Sequence, residues 1–187
     1  ELTKHEYQFI KKNKPWGIIL FQRNIKTINQ VNKLTTSIKN IFNDPLYPIL
    51  IDEEGGSVSR IKNIIDTSIF SGKYFGDLCK KNLNKFNLNY KVYVDQISYL
   101  LNLIGVNINT VPVLDLRRRY SHKIIGDRAY SYNKNIVNKV GNITIKLFNK
   151  NKIGNVIKHI PGHGLSKLDT HKNLPYINNQ LKYLEKN

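Results

Sequence analysis

Short apolar runs of strand length alternate with stretches of helical periodicity along most of the chain, and the last three runs each end in an acid or a histidine. Gly17-Ile18-Ile19-Leu20-Phe21, Pro48-Ile49-Leu50-Ile51-Asp52, Val106 to Leu114 and Asn155-Val156-Ile157-Lys158-His159 are the apolar runs. Thr3-Lys4-His5-Glu6, with Leu2 before it, has the pattern of a capping box and predicts a helix through about Asn13, stopped by Pro15. Thr27-Ile28-Asn29-Gln30 predicts a second box, followed by Ile28, Val31, Leu34, Ile38 and Ile41 at helical spacing. Residues 63–89 mix loop and helical pieces. Val92, Ile97, Leu100, Leu101 and Ile104 predict a helix closing at Gly105. Ile136, Val140, Ile143 and Leu147 predict another, with Gly154 as its C-terminal stop. A last weak helix is expected near Asn178.

Buried apolar strands separated by helices point to a parallel sheet in an α/β fold. Both an open doubly wound sheet and a closed (β/α)8 barrel satisfy the pattern. Asp52, Asp115 and Lys158-His159 at or just after strand ends favour the barrel, where such positions ring one pocket. No Gly-rich phosphate fingerprint opens a helix after a strand, which weakens a dinucleotide-binding reading.

With 187 residues, 40% of them hydrophobic, the chain can bury one core and is short for two domains. No apolar run approaches the roughly 18 residues of a membrane span, and no signal-peptide pattern opens the chain, so neither a membrane nor an exported protein is expected. The single cysteine, Cys79, excludes an internal disulfide framework and a Cys-rich zinc site, and fits a reducing compartment. The net charge of +17 raises nucleic acid as a partner. However, 24 Lys, 25 Asn and 25 Ile fit an AT-rich coding sequence, which inflates lysine without selecting for a ligand. Only six basic residues are Arg, the better phosphate fork, and the basic residues are scattered apart from Arg117-Arg118-Arg119 and Lys11-Lys12. The charge alone therefore does not call for nucleic acid.

Four clusters hold side chains able to do chemistry. Asp52-Glu53-Glu54-Gly55-Gly56 with Arg60 puts three acids after a buried strand, where they are expected to face solvent, a ligand or a basic partner. The alternative is a solvated loop with internal salt bridges. Asp115, closing Val111-Pro112-Val113-Leu114, either orients neighbours or caps the next turn. Arg128, in Gly126-Asp127-Arg128, either reaches a shared pocket or makes a surface ion pair. The densest cluster is Lys158-His159-Ile160-Pro161-Gly162-His163-Gly164, then Asp169-Thr170-His171. The Asp-x-His spacing lets Asp169 hydrogen-bond His171 within one loop and favour its protonated ring, as a proton donor requires. Zinc held by His159, His163, Asp169 and His171 is the competing explanation, but Pro161 and Gly162 interrupt any helical His frame.

Taken together, Ile49-Leu50-Ile51-Asp52-Glu53-Glu54-Gly55-Gly56 with Arg60, and Lys158 to Gly164 followed by Asp169-Thr170-His171, are similar to the signatures of glycoside hydrolase family three. The second loop resembles that of its bacterial β-N-acetylglucosaminidases of peptidoglycan recycling. Gly17 to Asn24, Val111 to Asp115 and Gly126 to Arg128 match in order and approximate spacing. The resemblance runs over nearly the whole chain and implies a (β/α)8 barrel, a cytoplasmic protein and an aminosugar or muropeptide substrate. It also implies retaining, two-step removal of a terminal β-linked N-acetylhexosamine, without metal or organic cofactor. It carries over His171 as acid/base, Asp169 as its partner, and Asp52, Arg60, Arg128, Lys158 and His159 as substrate-binding residues.

The pattern departs from the family in extent. A barrel of this kind takes about 250 residues, and four strands are visible here. The first strand of the family is expected before Glu1 and the last strands after Asn187. The nucleophilic aspartate is expected in a late loop, also beyond Asn187. One domain over residues 1–187, part of such a barrel, is the expectation. The alternatives are a catalytically inactive remnant, or half of a split enzyme that pairs with a complementing chain carrying the missing strands.

Overall fold

The computed structural model describes residues 2–118, 123–160, 162–166, 168, 174 and 176. Helix α1 (Lys4–Asn13) leads to strand β1 (Ile18–Leu20), helix α2 (Ile28–Phe42), strand β2 (Ile49–Ile51), helices α3 (Gly72–Lys81) and α4 (Leu83–Leu103), strand β3 (Ile108–Asn109), helix α5 (Lys134–Lys150) and strand β4 (Gly154–Asn155). The strands form one parallel sheet in the sequential order β1-β2-β3-β4. An order without reversal is that of a barrel segment; an open doubly wound sheet reverses at its switch point.

Local chemistry accounts for most boundaries. Thr3 and Glu6 form the reciprocal box at the start of α1. At α2, Thr27 Oγ1 accepts from Gln30 N at 3.2 Å, but the Gln30 amide oxygen accepts from Lys26 N instead of closing the box on Thr27. The unclear stretch 63–89 contains α3, capped by the Ser71 hydroxyl, and the first turns of α4, capped by the Asn82 amide oxygen; the helix expected around Val92 to Ile104 is the rest of α4. Their adjacency hides both periodicities, because the phase restarts at residue 82.

Helix α4 stops at Gly105 (φ 77°), with Val106 N donating to Leu101 O and Gly105 N to Asn102 O. Helix α5 ends the same way, two residues earlier than expected. Lys152, at φ 60°, takes the left-handed position, and Ile153 N donates to Phe148 O. Gly154 is therefore the first residue of β4, not the helix stop. The helix expected near Asn178 lies outside the described residues.

The strands are shorter than their apolar runs. Val106 to Leu114 contributes only Ile108–Asn109 to the ladder, and pairing resumes at a single bridge between Val113 and Lys158. Asparagine side chains extend the hydrogen bonding where the ladder stops. Asn109 Oδ1 accepts from Glu53 N at 3.0 Å while its Nδ2 donates to Glu53 O at 2.8 Å. Asn107 Oδ1 accepts from Ile49 N at 2.8 Å, and its Nδ2 donates to the carbonyls of Leu46 and Tyr47.

Leu20, Ile49, Ile51, Val31, Ile38 and Leu101 are buried in the core that joins strands to helices. Behind the loop carrying Arg128, Tyr90 of α4 hydrogen-bonds Thr144 of α5 at 2.7 Å, and the Tyr130 hydroxyl lies beside both. Among the described residues no helix is long and apolar enough to cross a membrane.

Candidate active site

Short strands bring the polar residues that follow them into one cluster. Asp52 follows β2, Thr110 follows β3, and Lys158 lies three residues past β4. Asp52 Oδ1 accepts from the Thr110 hydroxyl and from Lys158 Nζ at 3.1 Å, while Oδ2 accepts from Arg60 Nη2 at 3.3 Å. Lys158 also donates to Thr110 Oγ1 at 2.9 Å. Burial alone would push the Asp52 carboxyl up; the Thr110 hydroxyl, Lys158 and Arg60 overcome this and hold it below the usual carboxylate range. The Arg60 guanidinium lies over the Phe21 ring, 5.4 Å from its centroid, so the residue just after β1 also reaches this cluster.

The three consecutive acids do three different things. Asp52 stays partly exposed in the cup. Glu54 points at cations: Arg128 Nε and Nη2 grip its two oxygens at 2.8 Å each, and Lys158 Nζ lies 2.6 Å from Oε1. Burial works against the Arg128 charge, yet the Glu54 contacts raise its pKa above the ordinary value.

Glu53 corrects the expectation that every acid of the run faces solvent, ligand or base. It is 2% exposed and turned inward. Oε2 accepts from Ser59 Oγ and from the backbone N–H groups of Arg60 and Ile61, and Oε1 accepts from Thr67 Oγ1. Four neutral donors replace the basic partner, and they shape the turn that aims Arg60 at Asp52.

This arrangement predicts a pH effect. Burial is the largest influence on Glu53 and pushes its carboxyl above the usual range, the four donors compensating only in part. A carboxyl raised in the folded state contributes its stability fully below its unfolded pKa and loses it as pH rises through the folded value. Glu53→Gln removes that titration and keeps an oxygen for the two backbone amides. Denaturant titrations should show the variant gaining stability relative to the native chain as pH rises from about 4 to about 8. A difference that does not vary with pH would contradict the assignment.

Asp115 orients neighbours, the first of its two sequence-based expectations. His159 Nδ1 lies 2.5 Å from Asp115 Oδ2, and the backbone N–H groups of His163 and Gly164 donate to Oδ1 at 2.5 and 3.1 Å. Burial raises the Asp115 carboxyl, but these donors outweigh it and leave it lowered. Arg128 Nη2 is 3.5 Å from His159 Nε2, which joins this pair to the Glu54 cluster.

The structure thus brings together Asp52, Arg60, Arg128, Lys158 and His159. Asp169 and His171 lie outside the described residues. Among the described residues no group of three or more His, Cys, Asp or Glu side chains is arranged to hold a metal ion. Thr110 and Phe21 belong to the cluster without having been singled out, and Glu54, named only as one acid of the run, has the basic partners expected of it. Thr110 and Phe21 follow strands, which was their available signal; the partners of Glu54 lie 74 and 104 positions away in sequence, which no local pattern shows. A cavity of ≈ 590 Å³ between α1, β1 and α2 is lined by none of the expected site residues.

The cluster lies at the C-terminal strand ends, where a barrel builds its active site. The chain matches the glycosyl hydrolase family 3 N terminal domain over residues 1–187 and belongs to that family. It is 33% identical over 177 residues to a β-hexosaminidase of Hydrogenovibrio crunogenus, a match covering 91% of this chain and 47% of the relative. It superposes with a TM-score of 0.89 on the crystal structure of native NagZ from Neisseria gonorrhoeae, at 28% identity, covering 100% of this chain and 54% of that one. The same values hold for NagZ of that organism in complex with N-trifluoroacetyl-D-glucosamine. The four parallel strands therefore correspond to about half of a family 3 (β/α)8 barrel, and the chain spans about half the length, or less, of the curated relatives it matches.

Proposed function

We propose that residues 1–187 are part of the barrel domain of a cytoplasmic, retaining β-N-acetylhexosaminidase that removes terminal β-linked N-acetylglucosamine from peptidoglycan fragments. The observation that carries this is the Asp52 cup. A partly exposed carboxylate and the cations Arg60 and Lys158 converge at the strand ends of a chain belonging to this family. Asp52 suits hydroxyl donors of a sugar; Arg60, Arg128 and Lys158 suit its hydroxyl and carbonyl oxygens, and His159 is assigned to the same binding set. His171 is assigned as acid/base with Asp169 as its partner. An imidazole that titrates near neutrality can give a proton to the leaving group and later take one from water at a single pH.

A second reading, sugar binding without hydrolysis by this chain alone, is favoured by a separate observation. The carboxylates in and beside the cup, Asp52, Glu54 and Asp115, are each engaged by several donors. None is poised to attack an anomeric carbon.

Incubation with a chromogenic β-N-acetylglucosaminide, with and without any polypeptide encoded downstream, tests both readings. Release with the downstream segment supports the hydrolase. A folded chain that binds N-acetylglucosamine, with no release in either arm, supports binding alone. Within the active protein, His171→Ala should lower kcat about 100-fold or more with a much smaller change in KM. Equal kinetics would remove His171 from its role.

A further inference from the structure

We propose that Asp115 is a positioning residue that sets the tautomer of His159, leaving Nε2 of the ring as a hydrogen-bond acceptor that faces Arg128. Asp115 lies six residues past β3, and its side chain is fully buried. A carboxylate can only accept, so the 2.5 Å contact from His159 requires the proton on Nδ1. The other face of the ring agrees. Arg128 Nη2, 3.5 Å from Nε2, can only donate, so the nitrogen facing it carries the lone pair. An acceptor on one side and a donor on the other select the same tautomer independently.

The same carboxylate also holds the turn that follows. Its Oδ1 takes the backbone N–H groups of His163 and Gly164, and His159 N approaches Oδ2 at 3.3 Å. Gly164 comes so close to the chain beside Asp115 that a Cβ would meet Leu116 O at 2.3 Å. One buried carboxylate thus fixes both the ring of His159 and the backbone at His163 and Gly164. For an amino sugar, the consequence is polarity: Nε2 would accept from a sugar hydroxyl in place of its long 3.5 Å contact with Arg128, while Arg60 and Lys158 donate. This last step rests on the function proposed above; the tautomer does not.

Asp115→Asn tests the assignment, because an amide has one accepting and one donating end. The two backbone N–H groups cannot change their protonation, so the amide oxygen must serve them. The NH2 group then faces Nδ1, and only the ring can adapt, by moving its proton to Nε2. Long-range ¹H–¹⁵N correlation spectra of the imidazoles report the tautomer directly. They are recorded at pH about 8.5, above the ordinary histidine range, with His159→Gln to identify the signals.

The expected result is a single Nδ1–H tautomer in the native chain and inversion to Nε2–H in Asp115→Asn. An Nε2–H ring or a mixture in the native chain would overturn the proposal, as would an unchanged tautomer in the variant. The native spectrum decides even if the variant does not fold. Titration with N-acetylglucosamine separates the two claims. A correct tautomer without any response to the sugar counts against the proposed substrate and leaves the role of Asp115 standing.

Discussion

Glu54→Ala should destabilise the chain by about 3–5 kcal/mol, the range for removing one partner of a buried ion pair. The side chain of Glu54 is 4% exposed, and those of Arg128 and Lys158 are 13% and 14% exposed. Alanine removes the anion and leaves two desolvated cations facing each other, with Asp52 as the remaining acid for Lys158. The guanidinium of Arg128 would also lose both of its parallel contacts, which fix its plane. Glu54→Gln preserves volume and one acceptor and should cost less, while still leaving one of the cations short of a partner. Equilibrium unfolding in denaturant measures both. A loss below about 1 kcal/mol for alanine would place the cluster with ordinary surface ion pairs. Binding should suffer with stability, since both cations that Glu54 holds are assigned to the sugar.

The second large effect is expected at Gly76 in α3. A Cβ there would lie 1.7 Å from Tyr130 O and 2.5 Å from Tyr130 C. One turn earlier, a Cβ on Gly72 would lie 2.1 Å from Arg128 O. These two glycines let the helix rest directly on the backbone that carries Arg128 and Tyr130. Alanine favours helix by about 1 kcal/mol over glycine, so Gly76→Ala would stabilise an isolated α3. In the folded protein the clash is with a carbonyl group anchored by the buried Tyr130, and the helix or the 126–130 segment must move. Overpacking of this kind costs about 1–3 kcal/mol, occasionally more, and the contact distance puts this site at the upper end. A net loss of about 3 kcal/mol corresponds to a fall in Tm of about 6–12 °C for a chain of this size. An unchanged or higher Tm would show that α3 can lift away without cost, and that it does not brace Arg128.

What could be read from sequence alone follows from how local each cause is. The capping box at Thr3, the amphipathic spacing of α2 and the stop at Gly105 depend on neighbours within one or two turns, and the structure contains each. Gly154 misled because any residue that tolerates a left-handed backbone can end a helix, and Lys152 does so first. The α3–α4 junction was obscured because the periodic patterns of a 10-residue and a 21-residue helix meet at Asn82 with one residue between them. At the site, acids and histidines after strand-like runs marked Asp52 and His159. The fate of Glu53 and Glu54 was not legible, since it depends on Thr67, Arg128 and Lys158, which chain folding alone brings near. Arg128 and Asp115 each had a structural and a functional reading. Three-dimensional proximity separated them, because the 2.5 Å and 3.5 Å contacts of His159 belong to residues 44 and 31 positions away.

The asparagines that complete the sheet have an evolutionary consequence. The chain holds 25 asparagines, a number that fits an AT-rich coding sequence, yet Asn107 and Asn109 serve as stitches between strands too short to hold each other. Genomic drift toward higher GC content could exchange solvent-facing asparagines with little effect. At 107 and 109 the same drift would meet purifying selection, so the codons there should be the last to change.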